Sequence, residues 1–235
     1  MPHEPVLAVS GLQSSYGATP ILTGVDLSVS KGEIVALIGR NGVGKTTTMR
    51  CLIGLLRATG GSIIYQGHDV TRLQADDRAR LGIGYIPQGR DVFPRMTVAE
   101  NLQLGELVGG SRQSRTDLVF EYFPILRERR KQLAGTLSGG QQQQLAIGRV
   151  LVGSPALILL DEPSEGVQPS IVQGICRVLR AIRDDLGATI LFVEQNLDTI
   201  LTMAERAYVM EKGHVVARLE PGDVSQESVR RHLLL

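Results

Sequence analysis

Residues 39–47, GRNGVGKTT, constrain this chain more than any other stretch, because they set a strand end, a tight turn and a helix start side by side. Ahead of them, Ile34-Val35-Ala36-Leu37-Ile38 is a short apolar, partly β-branched run after Lys31-Gly32, the pattern of a buried strand that ends at Gly39. Gly42 and Gly44 let the backbone turn close to a ligand with its N–H groups inward, and Lys45-Thr46-Thr47 open a helix whose positive dipole end favours phosphate. The stretch fits G-x-x-x-x-G-K-[ST]. Gly39, Arg40, Asn41, Gly42, Val43, Gly44, Lys45, Thr46 and Thr47 are therefore expected to form a nucleoside triphosphate site, with Lys45 on the β- and γ-phosphates and the Thr46 hydroxyl on Mg2+. The competing reading is a glycine-rich turn that matches by accident.

A chain of 235 residues has room for one sizeable α/β domain or one domain with a small inserted lobe. Hydrophobic content of 43% beside 21% charged residues argues against disorder, and no run of about 18 apolar residues is present to span a bilayer. A net charge of +1 gives no electrostatic reason to expect nucleic acid. Met1-Pro2-His3-Glu4-Pro5 lacks a basic segment leading into an apolar core, so no secretory signal is expected and the cytoplasm is the default location. Cys51 and Cys176, far apart and without metal spacing, are expected to be reduced and packed.

Taken in order, residues 6–29 read as antiparallel strands, with Tyr16 between them as either a packing ring or a stacking surface for a purine. After the phosphate loop, Met49, Leu52, Ile53 and Leu56 give helical spacing over 46–56, and Gly60-Gly61 is expected to stop that helix. Strands are expected at 62–65 and 84–87, followed at once by Gln88, whose amide is either solvated or able to reach a metal or water. From 90 to 136 the strand–helix alternation gives way to a charge-rich helical stretch, including 115–130, read as an inserted lobe. There Thr97 and Glu100 form a capping-box pattern, and Gly109-Gly110-Ser111 reads as a loop. The basic run 127–131 reads as a solvated helix end. Ser138-Gly139-Gly140 at the start of a further helix is a second anion site. Leu157-Ile158-Leu159-Leu160 suits a central parallel strand, and the two acids at its carboxyl end are explained by a Mg2+ contact from Asp161 and a water-activating base in Glu162. A helix over 171–185, a strand over 188–193, a hairpin over 207–217 and a helical finish at 225–235 complete the reading.

These features, in this order, resemble the ATP-binding cassette family of transporter ATPases across essentially the whole chain. The resemblance implies an α/β fold: a P-loop NTPase core with a mainly parallel sheet, an N-terminal antiparallel β subdomain and an inserted helical subdomain. The core would be 1–88 and 142–235, and the helical lobe 89–141. It makes residues 39–47 the Walker A loop, Gln88 the hinge glutamine near metal and nucleotide, 157–161 the Walker B strand and Tyr16 the adenine-stacking aromatic. Leu137, Ser138, Gly139, Gly140 and Gln141 become the signature LSGGQ, which contacts the ATP of a second chain. Catalysis falls to Glu162, Lys45 and Gln195, and the metal to Thr46, Gln88 and Asp161.

Two positions depart from the common pattern of the family. Gln195 stands where most relatives have histidine, and Gln168 where an aspartate is usual; an amide donates a hydrogen bond but carries no charge. PQGR at 87–90 and SEGVQPS at 164–170 are similar to importer ATPases for branched-chain amino acids, urea and short-chain amides. The implied partners are transmembrane permease subunits, docked in a groove near Gln88 and residues 90–96, and a second ATPase chain, identical or paralogous. A periplasmic binding protein is implied indirectly, nucleic acid is not, and the implied place is the cytoplasmic face of the inner membrane. The competing classes are a lipid or lipopolysaccharide exporter ATPase and a cassette acting on nucleic acid or ribosomes.

Overall fold

The computed structural model describes residues 5–109 and 115–233. Strands β1 (Leu7–Tyr16) and β2 (Thr19–Val29) alternate buried and exposed residues and pair antiparallel, Leu7 opposite Val29. One face is packed and the other is wet. By contrast β3 (Ile34–Ile38) is buried on both faces: Ile34, Ala36 and Ile38 enter one hydrophobic core, Val35 and Leu37 the other. The phosphate-loop sequence runs from it into α1 (Lys45–Ile53).

Here the sequence reading needs correcting, because α1 stops at Gly54 and not at Gly60-Gly61. Gly54 takes the left-handed conformation, φ +86°, and its N–H caps the Arg50 and Cys51 carbonyls. Gly60 and Gly61 instead open β4 (Gly60–Tyr65), which lies antiparallel to β1. The short β5 (His68–Asp69), the helix α2 (Ala75–Arg80), which periodicity did not suggest, and β6 (Ile83–Ile86) follow.

The helical stretch holds α3 (Val98–Gly109), α4 (Thr116–Tyr122) and α5 (Pro124–Glu128). Thr97 and Glu100 form the expected capping box, with Thr97 N–H on Glu100 Oε2 at 2.7 Å and Glu100 N–H on Thr97 Oγ1 at 3.2 Å. Pro124 divides what reads as one helix over 115–130 into two, since a proline is tolerated only in a first turn. Beyond Gly109, the expected loop at Gly109-Gly110-Ser111 lies outside the described residues. Then come α6 (Gly139–Leu151), β7 (Leu157–Asp161), α7 (Pro169–Leu186), β8 (Thr189–Glu194), the unanticipated α8 (Leu197–Met203), the hairpin β9 (Arg206–Glu211) and β10 (His214–Leu219), and α9 (Gln226–Leu233). The helical finish is described only as far as Leu233.

Among the described residues ten strands form one sheet, ordered β5-β4-β1-β2-β10-β9-β3-β8-β7-β6. From β9 to β6 the pairing is parallel; the β5-β4-β1-β2 portion is antiparallel. The α3–α5 residues Leu102, Val119, Phe123 and Leu126 share a core with Ile147 and Leu151 of α6, so lobe and α6 pack as one body. Cys51 and Cys176 are free and buried, and burial pushes the Cys176 thiol up to about 11. Among the described residues no helix is long and apolar enough to cross a membrane.

Candidate functional site

Parallel register fixes where the site can be. Ile38 lies opposite Glu194, and Asp161 opposite Val193, so β3, β8 and β7 end side by side and the loops that follow them start from one edge. Gly39 has to be glycine: a Cβ there would come within 2.4 Å of the Met210 carbonyl on β9. The loop is further pinned by Gly213 N–H on the Val43 carbonyl at 2.9 Å, while Arg40, Asn41 and Gly42 form its exposed tip.

Lys45 is buried and folded over its own loop, Nζ donating to the Gly39 and Arg40 carbonyls at 2.9 Å each and standing 3.8 Å from Glu162 Oε1. Burial lowers its pKa, and the nearby carboxylates of Glu162 and Asp161 offset part of that. Thr46 Oγ1 donates to Asp161 Oδ1 at 3.0 Å; Tyr85 donates to Asp161 Oδ2 at 3.3 Å. Gln88 Nε2 donates to Glu162 Oε2 at 3.2 Å. Lys45, Thr46, Gln88, Asp161 and Glu162 thus meet in one place although 117 positions separate the first from the last.

Glu162 has two marks of a strained and poised group. Its backbone is left-handed, φ +46°, in a residue that is not glycine, and burial raises its carboxyl pKa against the pull of Lys45, with Asp161 and Glu194 adding to the rise. A carboxylate so placed can accept the proton of an attacking water. Asp161 is raised by burial as well, against hydrogen bonds from Thr46 and Tyr85. The Thr46 hydroxyl and Asp161 carboxylate are hard oxygen donors suited to Mg2+. No group of three or more His, Cys, Asp or Glu able to hold a metal exists among the described residues.

Ser138, Gln141, Tyr16 and Gln195 make no hydrogen bond to these five side chains among the described residues. Ser138 caps α6 in a box with Gln141, Ser138 N–H on Gln141 Oε1 at 3.0 Å and Gln141 N–H on Ser138 Oγ at 3.4 Å. Leu137 is buried beneath them. Tyr16 is 46% exposed, its hydroxyl accepting from Arg50 Nη1 at 3.4 Å, and lines a groove of about 740 Å3 with Arg50, Tyr85, Pro87, Phe93 and Arg149. Gln195 is exposed just past β8. Two contributors escaped the sequence reading. Glu194, 1% exposed, accepts the N–H groups of Gln195 at 2.8 Å and Asn196 at 2.9 Å and so fixes where Gln195 begins. Tyr85 reads as a strand residue; only its proximity to an acid-ended neighbouring strand signals the hydroxyl contact.

A glycine-rich turn from a parallel strand into a helix, with a lysine and threonine facing a carboxylate pair at the end of a nearby parallel strand, defines a P-loop nucleoside triphosphatase. The ABC transporter family model matches residues 22–165. The chain is 45% identical over 213 residues to the high-affinity branched-chain amino acid transport ATP-binding protein BraG of Pseudomonas aeruginosa, covering 90% of this chain and 91% of that one. It is 36% identical to the lipopolysaccharide export system ATP-binding protein LptB of Escherichia coli, covering 96% and 95%. The crystal structure of a nucleotide-free ATP-binding cassette from an ABC transporter superposes with a TM-score of 0.85 at 28% identity, covering 99% and 96%. This chain belongs to the ABC transporter family, as an ATP-binding and ATP-hydrolysing subunit.

Proposed function

We propose that two such chains close face to face, each ATP held between residues 39–47 of one chain and the signature segment, residues 137–141, of the other. The supporting observation is that one chain carries both halves and keeps them apart: among the described residues no hydrogen bond joins the capped start of α6 to the phosphate loop. The N–H donors at that helix start would meet the γ-phosphate of the partner's ATP, so ATP joins the chains and ADP does not. On binding, Lys45 exchanges its loop carbonyls for the β- and γ-phosphates. Glu162 orients the attacking water and accepts its proton, while Gln195 donates a neutral hydrogen bond toward the transferred phosphoryl group. Thr46 and Asp161, with Gln88, would hold Mg2+, which neutralises charge on the phosphate oxygens when bound. The exposed ring of Tyr16 offers a face for adenine. In the variant Glu162→Gln turnover should fall to a small residue and ATP should trap a dimer on gel filtration; undiminished hydrolysis would sink the assignment.

The subunit would sit peripherally on the inner face of a membrane with a permease seated in an adjoining groove lined by Leu55, Phe93, Leu104 and Arg149, where Leu55 is 61% and Phe93 47% exposed and Arg149 Nη1 is buried without a hydrogen-bond partner. The cargo we infer is a branched-chain amino acid or a related small amide or urea, delivered through a periplasmic binding protein, on the strength of the 45% identity to BraG. A second reading, lipopolysaccharide export, is favoured by the 36% identity to LptB. Uptake of labelled leucine and of urea by cells lacking this chain separates them: loss of uptake supports import, whereas intact uptake with lipopolysaccharide retained at the inner membrane supports export.

A further inference from the structure

Three consecutive residues after Gln88 have left-handed backbone: Gly89 at φ +84°, Arg90 at +76° and Asp91 at +44°. Glycine takes this freely, but for arginine and aspartate the strain persists only where surrounding contacts over-determine it. At Arg90 those contacts are specific. Its N–H bonds the Pro87 carbonyl at 3.2 Å, closing the turn, and its Nη2 donates to the Glu165 and Gly166 carbonyls at 3.0 and 2.9 Å. The guanidinium also fills the space before the first residue of α6, where a Cβ on Gly139 would lie 2.9 Å from Nη1. Two residues apart on one loop, then, Gln88 holds the carboxylate of Glu162 and Arg90 holds the main chain three and four residues beyond it. That main chain is tied back by Glu165 N–H on the Glu162 carbonyl at 3.1 Å.

We propose that Arg90 is a positioning residue for ATP hydrolysis, holding the Gln88 loop, the 162–168 turn and the start of α6 at fixed separations and so setting where the Glu162 carboxylate stands. The proposal rests on the assignment of Glu162 made above. Arg90→Ala should lower kcat by about ten- to a hundredfold, the loss typical of a catalytic group displaced by an ångström, with KM for ATP almost unchanged. Arg90→Lys should recover part of it, since an ammonium can reach the carbonyls but cannot fill the space before Gly139. Amide exchange should quicken over 163–168 in Arg90→Ala and stay unchanged in β7 and β8. An unchanged kcat, or a loss that tracks melting temperature with Lys no better than Ala, overturns the proposal. Glu162→Gln in the same assay separates the failures: a fully active Glu162→Gln removes the catalytic assignment and this proposal with it, whereas an inactive Glu162→Gln beside a fully active Arg90→Ala removes this proposal alone.

Discussion

Glu162, the base proposed above, is a residue at which that role and stability oppose one another. Burial raises its carboxyl pKa, so folding shifts the group toward its protonated form. The sign follows: folding carries no penalty from this group below about pH 4.5, and a growing one as pH rises through the ordinary carboxylate range toward the raised folded value. Glu162→Gln, neutral at every pH, should therefore unfold at higher denaturant than the parent at pH 8 and show no such advantage at pH 4; urea titrations at both values check it. Gln195 offers a second residue-scale test. Because its amide can contribute only a neutral hydrogen bond, Gln195→Ala should slow steady-state hydrolysis by about 10- to 1,000-fold, the effect of removing one transition-state donor, and an unchanged rate would show the amide idle. Lys45, Thr46 and Glu162 were legible in the sequence because spacing within a short segment carries their chemistry. Tyr85 and Arg90 were not, because what each does is a lateral contact across strands or loops that no local pattern encodes, and Glu194 was not, because its contacts to the next two backbone N–H groups depend on how the chain turns after β8.

Between elements, the best-defined join is the pairing of Glu33, just before β3, with Arg206 at the start of β9. Arg206 Nε and Nη2 donate to Glu33 Oε1 and Oε2 at 2.6 and 2.7 Å, and Nη2 also reaches the Ser28 carbonyl of β2 at 2.8 Å. Burial alone would raise the Glu33 pKa, but hydrogen bonds from Arg206 and Ser30 and the guanidinium charge outweigh it and leave it lowered. The stabilisation is thus present above about pH 4.5 and lost as pH falls through the lowered folded value. Glu33→Ala should cost about 3 kcal/mol at pH 7, since it strands a buried guanidinium, and progressively less on acidification, measured by denaturant midpoints across pH. The elements themselves divide by how plainly they could be read. β3, β7 and β8 announce themselves as unbroken apolar runs because parallel strands are covered on both faces. α2 did not, because its six residues ADDRAR show no apolar stripe and it is held instead by Arg78, buried, donating to the Cys51 and Leu52 carbonyls at the end of α1.

At the scale of the whole molecule, ATP binding should appear as a gain in stability. With ATP and Mg2+ at a hundredfold excess over Kd, linkage gives about 2.7 kcal/mol, or about 5–10 °C in Tm for a chain of this size, before any dimer forms. Thermal scans at several ATP and Mg2+ concentrations check it; a Tm indifferent to both would contradict the site. The order of the sheet adds a separate constraint. Its two outermost strands, β5 and β6, are also its shortest, two and four residues, and β6 runs straight into Pro87. Neither edge offers the long row of free backbone groups on which another chain could add a strand. A second copy is therefore not expected to join by adding a strand, which leaves loops, helix ends and helix faces as its points of approach and makes association a question of what those surfaces are holding.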